Sequence, residues 1–157
     1  DRVRKTLAGL PVDADASAPF GEGLYDESWH DRTYRACLEE ADRALLRGER
    51  VLVDASFRED RRRRAFLRLA RRRGAPVLWL LCRADPDEVR RRLEERSGDA
   101  SDAGPSVYRE AARRWEEAGA GVRRVLREVR CDSGPDAAVE AALDHLREAG
   151  LAPPPRA

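Results

Sequence analysis

Several things are missing from this chain, and each absence narrows what it can be. Of its 31 basic residues only Lys5 is a lysine, and there is no methionine at all. A natural start needs an initiator Met, so the expectation is a piece of a longer polypeptide. No apolar run approaches the roughly 20 residues of a membrane span, and no signal peptide is visible, which predicts a cytoplasmic chain without a membrane partner. The three cysteines (Cys37, Cys82, Cys131) have no CxxC spacing and are odd in number. They read as thiols of a reducing compartment, not as a disulfide frame or zinc site. His30 and His145 are far apart and have no acidic or nucleophilic companion at useful spacing, so neither is assigned chemistry. Charge of one sign is also lacking: 31 bases face 30 acids. That near balance weighs against a dedicated nucleic-acid or membrane-surface protein.

What is there is enough for one α/β domain with a core. A short helix over 2–9 closes at Gly9, and a Pro/Gly/Asp-rich loop fills 10–27. Residues 28–47 are amphipathic, with Ser28 as the expected N-cap and Tyr34, Cys37, Leu38, Ala41 and Leu45 on one face. The stretch "VLVDASF" at 51–57 reads as a buried strand. A basic helix, 58–73, follows and presents Ala65, Phe66, Leu69 and Ala70 inward and its arginines to solvent. "PVLWLLC", 76–82, is a continuous apolar run expected to be covered on both faces of a sheet. Helices are expected at 87–96, 107–118 and 137–148, a third strand at 125–131, and a Pro-rich tail at 151–157. Strands alternating with helices predict a parallel α/β layer fold over 1–150.

Open parallel sheets bind ligands beyond the carboxyl ends of their strands. Asp54, where the apolar run stops, fits a magnesium-side carboxylate; equally, it fits a helix cap or an arginine's partner. Arg92 and Arg96 share a helix face, and such guanidiniums can stabilise a transferring phosphoryl group. The competing reading is a solvated face paired with Asp87, Glu94 and Glu95. Asp1 and Arg4, three apart, suit either a carboxylate base with an orienting arginine or a plain intrahelical ion pair. A phosphate-cradling Gly-x-x-x-x-Gly-Lys-Ser/Thr loop does not occur: Lys5-Thr6 follows Arg4 in a helical stretch.

Six stretches in order, "DRVRK", "GEGLYDESWHDRTY", "VLVDASF" with "RRAF", "CRADPDEVRRRLEER", "SDAGPSVYREAARRWEE" and "VRCDSGP", resemble the P-loop kinase-like ATP-binding (AAA-type) domains related to zeta toxins and polynucleotide kinases. These are often fused C-terminally to an aminoglycoside-phosphotransferase-like domain. The resemblance spans residues 1–135. It implies a three-layer P-loop NTPase sandwich truncated at its N-terminus, with the phosphate loop on a missing N-terminal segment of the same polypeptide. It further implies ATP and Mg2+ as cofactors, Asp1 as general base, Arg4 as its orienting or acceptor-side arginine, and Asp54 at the metal. Arg92 and Arg96 become lid arginines on the phosphates, within a lid at 90–117. Asp132, Ser133 and Pro135 lie near the adenine, while Tyr25, Tyr34 and Arg63 fall on the substrate side. The expected activity is phosphoryl transfer from ATP to a hydroxyl of a small molecule or nucleotide. The alternative is a non-catalytic regulatory module that binds nucleotide or nucleic acid, with nucleic acid the weaker partner.

Overall fold

The computed structural model describes residues 1–16, 18, 21–95 and 104–153. Among them the order is α1 (Arg2–Leu7), a short 3-10 turn (Gly23–Tyr25), α2 (Glu27–Leu46), α3 (Asp60–Arg72), β1 (Trp79–Arg83), α4 (Pro86–Glu95), α5 (Pro105–Arg113), α6 (Ala120–Arg123), β2 (Leu126–Arg130) and α7 (Pro135–Glu148). β1 and β2 pair in parallel, Trp79 opposite Leu126 through Arg83 opposite Arg130. Their crossover contains α4, α5 and α6, the helical connection a parallel pair requires.

The expected strand at 51–53 is not a strand. Val51 and Leu52 are exposed, Leu52 to 90%. A strand is defined by a ladder, and among the described residues none runs beside this stretch, so its apolar composition alone does not make it one. The second run is shorter than its apolar span for the same reason. Pairing begins at Trp79, whose N–H donates to Val125 O at 2.8 Å, because β2 starts only at Leu126. Nor is β1 covered on both faces: Trp79, Leu80 and Leu81 are half-buried and Cys82 and Arg83 exposed.

The cap of α2 is Asp26, two residues before the expected Ser28. Asp26 Oδ1 accepts the Trp29 N–H at 2.8 Å, and the Ser28 hydroxyl donates to the same oxygen. The carboxylate thus satisfies the orphan N–H of the third helical residue, as an N-cap does, and Ser28 lies inside the helix. α5 stops at Arg113 and not near Ala118, because the chain beyond it bonds back to the start of α3. Glu116 N donates to Arg58 O at 3.1 Å, the Glu116 carboxylate accepts Asp60 N–H at 2.7 Å, and Gly119 N donates to Asp60 Oδ1 at 2.9 Å. Backbone groups used in this way are not available to continue a helix.

The core is two clusters on either side of α3. Phe66 and Leu69 pack with Ala41 and Phe57, while Leu67 packs with Ala118 and Val122; Trp79 touches both clusters. Phe57 stacks edge-on against Tyr34, Phe66 and Trp79, with ring centroids 5.3, 5.1 and 4.6 Å apart. Its φ is +43°, a left-handed conformation costly for a bulky residue. Two bonds hold it there: its N–H donates to the Tyr34 hydroxyl and its carbonyl accepts from Arg63, each at 2.9 Å.

The basic helix does not turn all its arginines to solvent. Arg62 and Arg63 are among the most buried side chains of the chain, at 5% and 1% exposure. No helix among the described residues is long and apolar enough to cross a membrane.

Candidate functional site

Three of the expected site residues lie around one side of the molecule, where α1 and α2 meet the 50–54 stretch. Val3, Cys37, Ala41 and Val51 through Asp54 line a shallow groove there. The Asp54 carboxylate is exposed at its end and within electrostatic reach of the Cys82 thiol. Asp54 thus faces Cys82 on β1, although 51–53 is not itself paired.

Asp1 and Arg4 form an ion pair, with Asp1 19% and Arg4 8% exposed at the side chain. The Arg4 guanidinium also lies over the Tyr25 ring, 4.5 Å from its centroid, and its Nη2 donates to His30 Nδ1 at 3.2 Å. Burial, with the Arg4, Arg58 and Arg62 guanidiniums adding to it, pulls the His30 pKa down to about 4. The ring is consequently neutral near pH 7. Because arginine can only donate, Nδ1 is the acceptor and the proton sits on Nε2. His30 belongs to this site although nothing in the order of residues signals it: its partner is 26 residues away. Tyr25 is spent on Arg4. Tyr34 is spent on the core, accepting Phe57 N–H, with its hydroxyl 3.4 Å from Ser56 Oγ and its ring 4.4 Å from the Arg62 guanidinium.

Arg63, expected on the substrate side, is instead an interior staple. Its Nη1 donates to Phe57 O, its Nη2 to Glu116 O, its Nε lies 3.5 Å from Asp60, and its guanidinium stacks over Trp115 at 4.8 Å. A guanidinium in contact with two carbonyls and a carboxylate, 1% exposed, has no face left for a ligand. Arg62 is similarly buried, among Glu27, Asp31 and Glu59.

At the carboxyl end of the sheet Arg92 reaches across from α4. Its Nη2 donates to Cys131 O at 2.7 Å and its Nε to Glu88 at 2.6 Å, with 39% of the side chain still exposed. Hydrogen bonds from Arg91 and Arg92 hold the Glu88 carboxyl down to about 2. Arg90 and Arg91 pair with Asp87, Glu88 and Glu95, as a solvated face would. Arg92 differs from them in bridging to the sheet. Arg96 lies outside the described residues. Asp132 does not stand free for a ligand: Asp85 N–H donates to Oδ1 at 2.5 Å and Arg130 pairs with Oδ2 at 2.7 Å, which lowers its pKa. It ties the turns after β1 and β2 together, next to exposed Ser133 and to Pro135, which opens α7.

A family model described as an AAA domain matches residues 1–118. The chain belongs to this AAA-domain family. That makes it a nucleotide-binding, kinase-like P-loop domain by family. No curated protein and no solved structure matches the chain. Magnesium in such a domain takes one or two carboxylates and otherwise water and phosphate oxygens. The exposed Asp54 carboxylate of this AAA domain suits that role. Lys5 does not suit the phosphate role: it is 1% exposed and its Nζ donates to Val12 O at 3.2 Å.

Proposed function

We propose that the chain carries the acceptor, metal and lid side of an ATP-dependent kinase-like domain, which transfers a phosphoryl group to a hydroxyl of a small molecule or nucleotide. The observation that supports this reading is the exposed Asp54 carboxylate at the end of a groove that Val3 of α1 also lines, with the Asp1 carboxylate just before α1 paired to Arg4. In this reading Asp54 holds the magnesium or its waters, and the metal supplies neutralisation of phosphate charge when bound. Asp1 accepts the proton of the acceptor hydroxyl. Arg4 fixes the Asp1 carboxylate, and neutral His30 keeps Arg4 in place without adding a competing positive charge. Arg92 offers its exposed edge to phosphate oxygens, joined by Arg96 from the following segment. The phosphate cradle comes from a Gly-x-x-x-x-Gly-Lys-Ser/Thr loop upstream in the same polypeptide.

The test uses the natural polypeptide that contains this domain together with any such loop. Asp54→Asn should weaken magnesium-dependent nucleotide binding about 10–100-fold, the range for removing a group that orients a metal. Magnesium titration followed by calorimetry reads it. Unchanged magnesium dependence, or an upstream coding frame with no such loop, would favour a non-catalytic regulatory module instead.

A further inference from the structure

Cys82 and Cys131 were unrelated thiols in sequence, 49 positions apart, and the sheet brings them together. Cys82 lies opposite Val129 in the parallel register. Side chains alternate along a strand, so Cys131, two residues after Val129, emerges on the same face as Cys82. The pairing persists to that point, since Cys131 N donates to Arg83 O at 2.8 Å. Both cysteines line one shallow cavity with Val89, Arg92 and Leu93, and the Cys131 thiol points back along its own strand to Val129 O at 3.6 Å. Cys82 is exposed and Cys131 half-buried; Cys37, by contrast, lines the groove beside α1.

We propose that Cys82 and Cys131 are a modification site, which a peroxide-class oxidant converts into an intramolecular disulfide. Burial and the neighbouring Cys131 hold the Cys82 thiol above its usual range. Cys82, the exposed member, therefore gives up its proton as it attacks the peroxide O–O bond, leaving Cys82 sulfenic acid and one water. The Cys131 sulfur then attacks the Cys82 sulfur, the S–O bond breaks, and the displaced hydroxide takes the Cys131 proton as a second water. The two thiols together give up two electrons and two protons, and the peroxide receives both. Diagonal neighbours in a sheet lie near the limit of disulfide reach, so closure draws the end of β2 toward β1. The end of β2 can yield, because Cys131 is the last residue before the 132–133 turn. Its carbonyl is the one that anchors Arg92. Oxidation therefore moves the support of the one α4 arginine that bridges to the sheet. The site stands independently of the phosphoryl-transfer reading.

The experiment treats the reduced chain with stoichiometric hydrogen peroxide, quenches it in denaturant, counts free thiols and maps the peptides without reduction. The count should fall from three to one, with Cys82 and Cys131 joined in one linked peptide, Cys37 free, and full reversal by dithiothreitol. The variant Cys131→Ser should lose the linked peptide and leave a Cys82 sulfenic acid that dimedone traps. A bond that includes Cys37, a bond only between two chains, or a thiol count still at three would overturn the proposal. The wild-type count and map decide it even if the variant does not fold.

Discussion

Among single residues, Arg63 shows most directly how this chain uses its arginines. Replacing it with methionine keeps the length and removes the donors, so Phe57 O and Glu116 O are left without their partner. Each buried carbonyl left unsatisfied costs about 1–3 kcal/mol. Arg63→Met should therefore lower the urea midpoint of unfolding at unchanged slope. Arg63→Lys should recover only part of the loss, since an ammonium cannot span both carbonyls in a planar fork. His30 makes a prediction of the opposite kind, read by pH. Its pKa is held at about 4 in the fold against an ordinary 6.5. The unfolded chain therefore binds the extra proton more readily, and this contribution to stability is present above pH 6.5 and lost as pH falls toward 4. His30→Gln should flatten the stability curve across that window in denaturant titrations at stepped pH. Neither residue was legible beforehand. A run of four arginines, 61–64, reads as a solvated face, and nothing in the order of residues says that Arg62 turns inward to the carboxylates of Glu27, Asp31 and Glu59, or Arg63 to a carbonyl 53 positions away.

For elements, the sequence carried most of the helices and less of the sheet. The helices at 27–46, 60–72, 86–95 and 135–148 announce themselves by local signals: apolar spacing, a capping carboxylate, a proline in the first turn, a glycine after the last. The start of α2 moved to a local cap at Asp26, and the end of α5 moved where long-range bonds turn Glu116 and Gly119 back to α3. Strands carry no such self-sufficient signal, because the partner decides whether an apolar run is paired. That is why Trp79–Arg83 and Leu126–Arg130 exist as strands and 51–53 does not. Two substitutions test the element junctions. Asp26→Ala should lower the melting temperature by a few degrees by removing the cap of α2, and Asp26→Ser should restore it. Gly119→Ala would place a Cβ 2.9 Å from Asp60 Oδ2. It should loosen the clasp between α3 and the segment after α5, seen as faster hydrogen exchange at the Gly119 and Asp60 amides than in the parent chain.

For the whole molecule, the candidate site was half legible. Asp54 lies on the groove that Val3 of α1 also lines, and Asp1 pairs with Arg4 at the start of that helix. Arg63, Tyr34 and Asp132 turned out to be engaged in holding the fold, a distinction that depends on burial and cannot be read from residue type. The 157 residues contain no glycine-rich phosphate loop, and their single lysine is inside. Calorimetry of this chain alone should accordingly find no ATP binding at micromolar affinity, and such binding would show that the loop is dispensable. The same edge has a colloidal consequence. Val51, Leu52 and Val53 form an extended, apolar, unladdered stretch, with Leu52 bare to solvent. A stretch of that kind is a template on which another strand of the same sequence can align, so the isolated chain should scatter light increasingly with concentration and warming. Leu52→Lys puts a charge on the template and should suppress that scattering while leaving the far-UV circular dichroism unchanged.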